Sequence, residues 1–537
     1  MIEIEDLAVP LDYDDELLCG LVAERLRIER RRVGLVEIKK RAVDLKDRDN
    51  IRFRMTLAAD VEGEDTLSAL RYDEKVYKST KFAYLVPRRL PLLRPVVVGS
   101  GPAGMFAALL LAEAGARPVL LERGLDVDSR RRLVERFWRT GELDTGTNVQ
   151  FGEGGAGTFS DGKLKVGAKD FRKMKVLTEY VKAGAPAEIL YLDKPHIGTD
   201  RLRETVKALR KKIIGLGGEV RFGAAVTGIL QKDGRVTGVG FEKNGAYSEL
   251  ETGDVVLAIG HSARDTFERL FEGGVAMEQR PFAVGVRVEH PQSLINRLRY
   301  GTFAGSKRLG AADYRFVVHL KSGRGVYSFC MCPGGEVVAA ASETGGLVTN
   351  GMSEFARAGQ NANSALLVTL GKDDFESSHP LAGVRFQRKL EKAAYEAGQG
   401  GYKAPVQRLG DFLRRENSAF FGEVLPTYRP GTAFAMADDY LPAGVAEAIR
   451  AAIPEMDDWL PGFSFPDALL TGAETRSTSP VRMLRTEGLE AVGLHGLYPC
   501  GEGAGYAGGI VSAAVDGLRC AERILGSSGA PSGLEII

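Results

Sequence analysis

Apolar positions follow three patterns along this chain. Continuous apolar runs ending in a glycine or an acid, at Val96–Val98, Val119–Leu121 and within Asp254–Gly260, predict strands buried on both faces, as in a parallel sheet covered on both sides. Helical periodicity predicts helices over Asp14–Glu29, Asp126–Arg139, Thr199–Ile214 (with Thr199 or Asp200 as N-cap) and Val511–Ile524. Strand-like segments rich in β-branched residues lie at Val33–Ile38 and Ile51–Leu57, with Arg41–Asp49 between them. Others follow at Glu219–Phe222, Ala225–Gln231, Arg235–Glu242, Phe282–Glu289, Arg315–His319, Val326–Cys332 and Glu336–Ala341.

These elements divide the chain. Residues 1–90 read as a small α/β module closed by a Pro87–Pro91 linker. Residues 91–274 carry the buried strands. Residues 275–470 hold strands first and helices later, and 471–530 return to the first pattern with a strand, a glycine cluster and a helix. The expected class is α/β: a discontinuous Rossmann-like domain, an inserted α+β cap or substrate domain, and the N-terminal module.

Composition narrows the function classes. The 537 residues carry 72 Lys+Arg and 71 Asp+Glu, for a net charge of +1, so no global charge points to nucleic acid or a membrane. A local excess of Lys/Arg in residues 25–54 is the exception. No apolar run approaches a membrane span. Five cysteines in this length make no disulfide framework, and a cytoplasmic location is expected.

The strand–glycine–helix–strand unit from Pro95 to Glu122 carries the first chemistry. Gly99 permits a tight turn, Gly101 lets a pyrophosphate approach the backbone, and Gly104 lets helix and strand pack closely. Ser100, Pro102 and Ala103 complete the turn, whose helix N-terminus offers free amides to phosphates. Glu122, with Arg123 beside it, is placed to hold ribose hydroxyls. The unit by itself predicts a dinucleotide, not which one. A second glycine-rich loop runs from Phe151 to Leu164. It supplies Gly154, Gly155, Ala156, Gly157, Thr158, Ser160, Lys163 and Leu164 as further candidate cofactor contacts, together with Val226, Ala258 and Gly260 on later strands. A third element, Gly496–Ile510, ends a strand at Cys500, Gly501 and Glu502, then passes Gly508 and Gly509 into a helix beginning near Ile510.

These three elements, in this order, resemble flavoproteins of the glutathione-reductase-type superfamily. Phe151–Leu164, Lys194–Asp200, Tyr327–Gly335, Ser377–Gly383 and Ala473–Arg482 further resemble a bacterial family of FAD-dependent dehydrogenases, or NAD(P)/FAD-dependent oxidoreductases, of unassigned substrate. The resemblance implies FAD as cofactor, with Glu502 at the ribityl chain and the last helix start at the flavin pyrimidine edge. It also implies a cap sheet facing the flavin and a small-molecule substrate. A second nucleotide fingerprint is absent from the sequence, so NAD(P)H is expected, if it serves, as a transient electron donor. No CxxxxC motif lies near the first helix, which argues against a disulfide-reductase mechanism.

Candidate catalytic groups are fewer. Cys330 and Cys332 sit two apart on a predicted strand, so both thiols are expected on one face and Met331 on the other. Near a flavin they would serve as proton donor, nucleophile or redox partner; in a core they are small hydrophobes. His196, His261 and His379 lie in loops with the side chain for proton transfer near neutral pH. Arg476 and Arg482, with Glu474 close by, have the fork that holds an anionic substrate group. Histidine and cysteine spacings predict no metal site. Two other functions fit the same motifs: an FAD-dependent tRNA-modifying enzyme using the basic N-terminal stretch, and a protein that binds flavin without catalysis.

Overall fold

A computed structural model describes residues 1–67, 69–80, 82–164 and 170–526. Positions 527–530 of the segment expected to close the last domain therefore lie outside the described residues. The buried runs form one five-stranded parallel sheet in the order Leu497–Pro499, Val255–Leu257, Val96–Val98, Val119–Leu121, Glu219–Arg221. Alternation sorts its side chains. Val97, Leu120 and Val256 face the helices Pro102–Glu113, Thr199–Gly215 and Ile510–Ile524. Val96, Val98, Val119, Leu121, Val255 and Leu257 face a three-stranded antiparallel sheet (Ala224–Lys232, Arg235–Lys243, Ala246–Glu251) and the helix Arg264–Glu272. Neither expected residue caps the Thr199–Gly215 helix: Gly198 occupies the N-cap. The Thr199 hydroxyl donates to the Thr158 carbonyl (2.7 Å), and the Asp200 carboxylate accepts from the Phe355 amide (2.8 Å).

The middle of the chain builds a seven-stranded sheet, ordered Val317–His319, Gly325–Cys332, Asn361–Leu370, Phe282–Pro291, Leu469–Glu474, Ala404–Arg408, Thr432–Phe434. Strands-then-helices is thus corrected. Helices Ala382–Ala397 and Ala443–Trp459 alternate with later strands, and Leu469–Glu474, which straddles the expected boundary at 470, is a central strand. Its partner Phe282–Pro291 enters from far upstream, a pairing no local pattern reveals. One face of this sheet packs on those helices. The other carries Ala283, Ala365 and Leu367 with Tyr327 and Phe329 against them. A two-stranded ribbon, Met277–Gln279 with Val481–Met483, joins the two sheets where the chain crosses between them.

The N-terminal module contains a strand the sequence reading lacked, Ile2–Val9, and the strand after its helix continues to Asp44, through the start of the expected connection. Its order is strand, helix (Asp15–Leu26), two strands (Val33–Asp44, Arg52–Val61), a short helix (Ala69–Tyr72) and a strand (Val76–Lys78). The antiparallel sheet, with Arg52–Val61 and Ile2–Val9 central, has the split βαβ arrangement of ferredoxin-like folds. The Arg41 amide donates to the Tyr191 carbonyl (2.8 Å), tying this sheet to the nucleotide domain.

Candidate active site

One cavity of about 920 Å³ lies between the parallel sheet and the cap sheet. It is large for a ligand pocket. Gly99, Ser100, Gly101, Pro102, Ala103, Glu122 and Arg123 line one end. Gly155, Ala156, Gly157, Ser160, Lys163, Val226, Ala258, Gly260, Glu502, Gly508, Gly509 and Ile510 continue the wall. Five candidates stand behind it. Gly104 packs on Gly99, Gly154 on Thr158, and Leu164 is fully buried; Thr158 donates to the Glu153 carbonyl (3.2 Å), and the Gly501 amide donates to Asp516 (2.8 Å).

The residues present fit a dinucleotide. Helices Pro102–Glu113 and Ile510–Ile524 both start at glycines, Gly101 and Gly509, with no side-chain cap. Their free amides thus open toward the cavity, as an anion or a flavin edge requires. The two glycine loops touch backbone to backbone: a Cβ on Gly155, at φ +65°, would lie 2.9 Å from the Gly101 Cα. A Cβ on Gly104 would lie 1.8 Å from the Gly99 carbonyl oxygen. Gly104→Ala is therefore expected to purify with little or no FAD, read as the ratio of flavin to protein absorbance; normal loading would refute the close packing.

Glu122 differs from expectation in its bonding. One carboxylate oxygen accepts from the Ser100 amide (2.8 Å) and hydroxyl (2.7 Å), the other from the Gly124 (2.9 Å) and Gly152 (3.0 Å) amides. All four acceptor positions are filled, so a ribose hydroxyl reaches Glu122 only by displacing one of these donors. Glu122 thus also ties the fingerprint turn to the second glycine loop.

That loop is held by a residue the sequence reading missed. Arg130, on the helix Val127–Thr140, is fully buried and donates to five backbone carbonyls: Asn148 (2.9 Å), Val149 (2.9 Å), Gly152 (3.3 Å), Glu153 (2.7 Å) and Gly155 (3.0 Å). Burial lowers its pKa to about 10, still far above neutrality. His261 is a second omission from the cofactor set. It lines the cavity with Nδ1 3.5 Å from Glu502, and its Nε2 is buried without a hydrogen-bond partner among the described residues.

At the cap end, strict alternation fails at the cysteine pair. A β-bulge between Phe329 and Cys332 puts Cys330 at φ +42°. Cys330 is exposed to the cavity, whereas Cys332 is buried and its thiol donates to the Cys330 carbonyl (3.2 Å). Arg287, fully buried below, donates to the same carbonyl (3.2 Å). Arg287 also forks onto Glu474 (2.7 and 2.7 Å) and reaches Asn363 (2.7 Å). Burial disfavours its charge, but Glu474 outweighs this and raises its pKa. Enclosure by protein pushes the Cys330 thiol up to about 12 and raises that of Cys332, so both stay protonated near neutral pH.

Arg476 also lines the cavity, but its fork is occupied. Glu391, fully buried, accepts from Arg476 (3.0 and 2.9 Å), Arg264 (2.5 and 2.9 Å) and the Thr475 hydroxyl (2.7 Å). Burial opposes the carboxylate, yet the two guanidiniums together hold it well below the usual range. Arg264 is pushed up by Glu391, while burial and the charge of Arg264 push Arg476 down: one carboxylate is shared between two cations. His196 does not line the cavity; it stacks on Phe355 and its Nε2 meets the Phe355 carbonyl at 3.0 Å. His379 accepts from the Leu381 amide (3.1 Å), also away from the cavity. Among the described residues, Cys500, Asp516 and Cys520 form one buried cluster of metal-ligand types. Asp516 is already taken by Arg485 (2.8 and 3.0 Å) and the Gly501 amide (2.8 Å), which makes the trio an anchor for the Cys500–Gly501 turn.

Comparison with known proteins adds to this geometry. Residues 281–477 match the family described as FAD-dependent protein, C-terminal domain-like, and residues 94–136 match an FAD-binding domain family. A Clostridium beijerinckii protein, described as uncharacterized, is 46% identical over 528 residues, covering 98% of each chain. Among solved structures, a flavin-dependent brominase shares 13% identity, covering 82% of this chain and 80% of its own, at a TM-score of 0.38. A geranylgeranyl bacteriochlorophyll reductase-like protein from Thermoplasma acidophilum shares 12%, covering 82% and 79%, at 0.35. Values this low carry no information about reaction or substrate. The long match to the Clostridium protein and the two family matches fall on the elements that wall the cavity: the chain belongs to this FAD-binding family, and FAD is its cofactor.

Proposed function

We propose that this flavoprotein is an oxidoreductase of the glutathione-reductase-type superfamily, moving a hydride between the flavin N5 and a small organic substrate held under the cap sheet. The observation that supports this is the continuity of the cavity from the fingerprint glycines to Cys330, Tyr327 and Phe329. FAD, when bound, supplies the two-electron chemistry. The chain's own residues do the rest. Tyr327 and Phe329, ring centroids 6.3 Å apart and edge to face, form an apolar wall that excludes water beside the reacting end. Cys330 presents a protonated thiol to the cavity and serves as the proton-holding group; the Arg287–Glu474 pair fixes the bulge that turns it there. Cys332 supports that bulge. Reductant in the form of NAD(P)H reaches the flavin by diffusion. We read the segment between the two ribbon strands as the substrate domain.

Cys330→Ser is expected to slow substrate-dependent reoxidation of the reduced flavin by about 10²-fold, the usual scale for a lost proton-transfer group. Cys332→Ser is expected to stay within a few-fold of the parent. Anaerobic reduction with NADH, NADPH or dithionite, followed by stopped-flow mixing with a panel of organic acceptors, reads both. A bound flavin that no donor or acceptor turns over would overturn the oxidoreductase reading in favour of a flavin-binding protein without catalysis. Part of the basic stretch that motivates the RNA reading is paired within the N-terminal sheet. Arg54 pairs with Asp44 and Asp6, and Lys39 with Glu37. Glu3 and Glu5 are taken by hydroxyls of Ser79 and Tyr77 across the sheet, where a base-stacking surface would need free aromatic rings and cations.

A further inference from the structure

The cap end of the cavity carries an unbalanced set of charges. Its cations are Lys163, Lys194, Arg315 and Arg357, and its nearby acids are Asp161 and Asp313. Asp161 is forked by Arg357 through both oxygens, and Asp313 holds Lys194 at 2.7 and 2.8 Å. Two cations remain. Lys163 has, among the described residues, one ion-pair contact, to the already occupied Asp161 at 3.7 Å. Arg315 is exposed and has no ion pair or hydrogen bond among the described residues. The positive charge of Lys163 favours the thiolate forms of both Cys330 and Cys332 and lowers the pKa of Asp313. Lys163, Cys330 and Cys332 line the same cavity. Next to these cations the wall is apolar: Val317, Tyr327 and Phe329 all line the cavity.

We infer that the substrate is an organic anion, with a carboxylate or phosphate head held by Lys163 and Arg315 and an apolar, ring-sized body laid against Val317, Tyr327 and Phe329. Two cations without a free carboxylate among the described residues, on the wall of one cavity, attract an anion and leave a cationic substrate without a partner. Arg476, the residue the sequence offers for this task, is unable to perform it because Glu391 holds its fork. Lys163, read from sequence as a cofactor contact, takes that role. This inference rests on the oxidoreductase reading of the same cavity.

The test uses the FAD-loaded full-length protein and follows perturbation of the flavin absorbance on titration with phenylacetate, phenyl phosphate, 2-phenylethanol and 2-phenylethylamine. The expected result is saturable binding of one or both anions. The neutral alcohol should bind at least about 10-fold more weakly and the amine not at all, because only the anion makes a charge-assisted contact. Lys163→Gln and Arg315→Gln should each weaken the anion about 10-fold or more while retaining full FAD. Phosphate over carboxylate, or the reverse, identifies the head group. Equal binding of alcohol and anion, or anion binding indifferent to both substitutions, would overturn the inference while leaving the flavin reading intact. Loss of FAD from Lys163→Gln would also overturn it, by returning that lysine to the cofactor. A flavin that no donor or acceptor turns over in the stopped-flow experiment would instead remove the oxidoreductase reading itself.

Discussion

Arg130→Ala is expected to abolish FAD binding and to lower stability by about 3–5 kcal/mol. Five backbone carbonyls lose a guanidinium donor at once, four of them through buried hydrogen bonds. Each orphaned buried acceptor costs on the order of 1–3 kcal/mol before relaxation, and the ties of the glycine loop to Glu122 and the Ser100 carbonyl do not reach the Asn148 and Val149 carbonyls. Arg130→Lys keeps the charge but not the fork, so a partial loss is expected. Flavin content after purification and the thermal unfolding midpoint measure the two effects separately. An alanine variant with full FAD would show that the loop is held by the nucleotide itself and not by the guanidinium.

Glu391→Ala comes second in expected effect. Its carboxylate joins Arg264 of the nucleotide domain to Arg476 beside the cap sheet. Removing it leaves buried Arg476 without a carboxylate partner among the described residues and Arg264 with Glu343 alone (3.0 Å), for which about 3–5 kcal/mol is the usual scale. A large fall in unfolding midpoint is expected. Replacing Arg264, Glu391 and Arg476 together by apolar residues should restore much of it, because no buried charge of the trio is then left unpaired. The pH dependence has a definite sign. The folded-state pKa of Glu391 is depressed, so its stabilisation is fully present above the ordinary carboxylate value of about 4.3. It is lost as pH falls from there toward the folded value. An acid-unfolding profile unchanged by Glu391→Gln would contradict this.

The parts legible in the sequence share one property: they are local. The fingerprint, the second glycine loop and the final glycine pair are each one short continuous segment, and the structure brings all three to one cavity. What escaped the sequence was set from a distance. Arg130 stands in a run with Arg131 and Arg132, and nothing in that run says which guanidinium is buried. Helix phase puts Arg130 inward with Val127, Val134 and Phe137. The cysteine pair was read on an ideal strand, but Arg287 and Asn363, on other strands, set the bulge that separates the two thiols. Arg476 looked free because its partner lies on a different helix of the inserted domain.

The discontinuous sheet has a consequence for biosynthesis. Strand Leu497–Pro499 completes the parallel sheet, and helix Ile510–Ile524 covers the fingerprint helix. Both leave the ribosome after the cap strands. At about 5–20 residues per second, the chain between Leu257 and Leu497 takes roughly 10–50 s to synthesise. Throughout that interval the first sheet strands have an open edge and an uncovered apolar helix. The N-terminal module and the cap have their strands in hand earlier, so the nucleotide site is the last part to close. A nascent chain that stops short of residue 510 has no completed cradle, so cofactor capture waits on synthesis of this last element of the site.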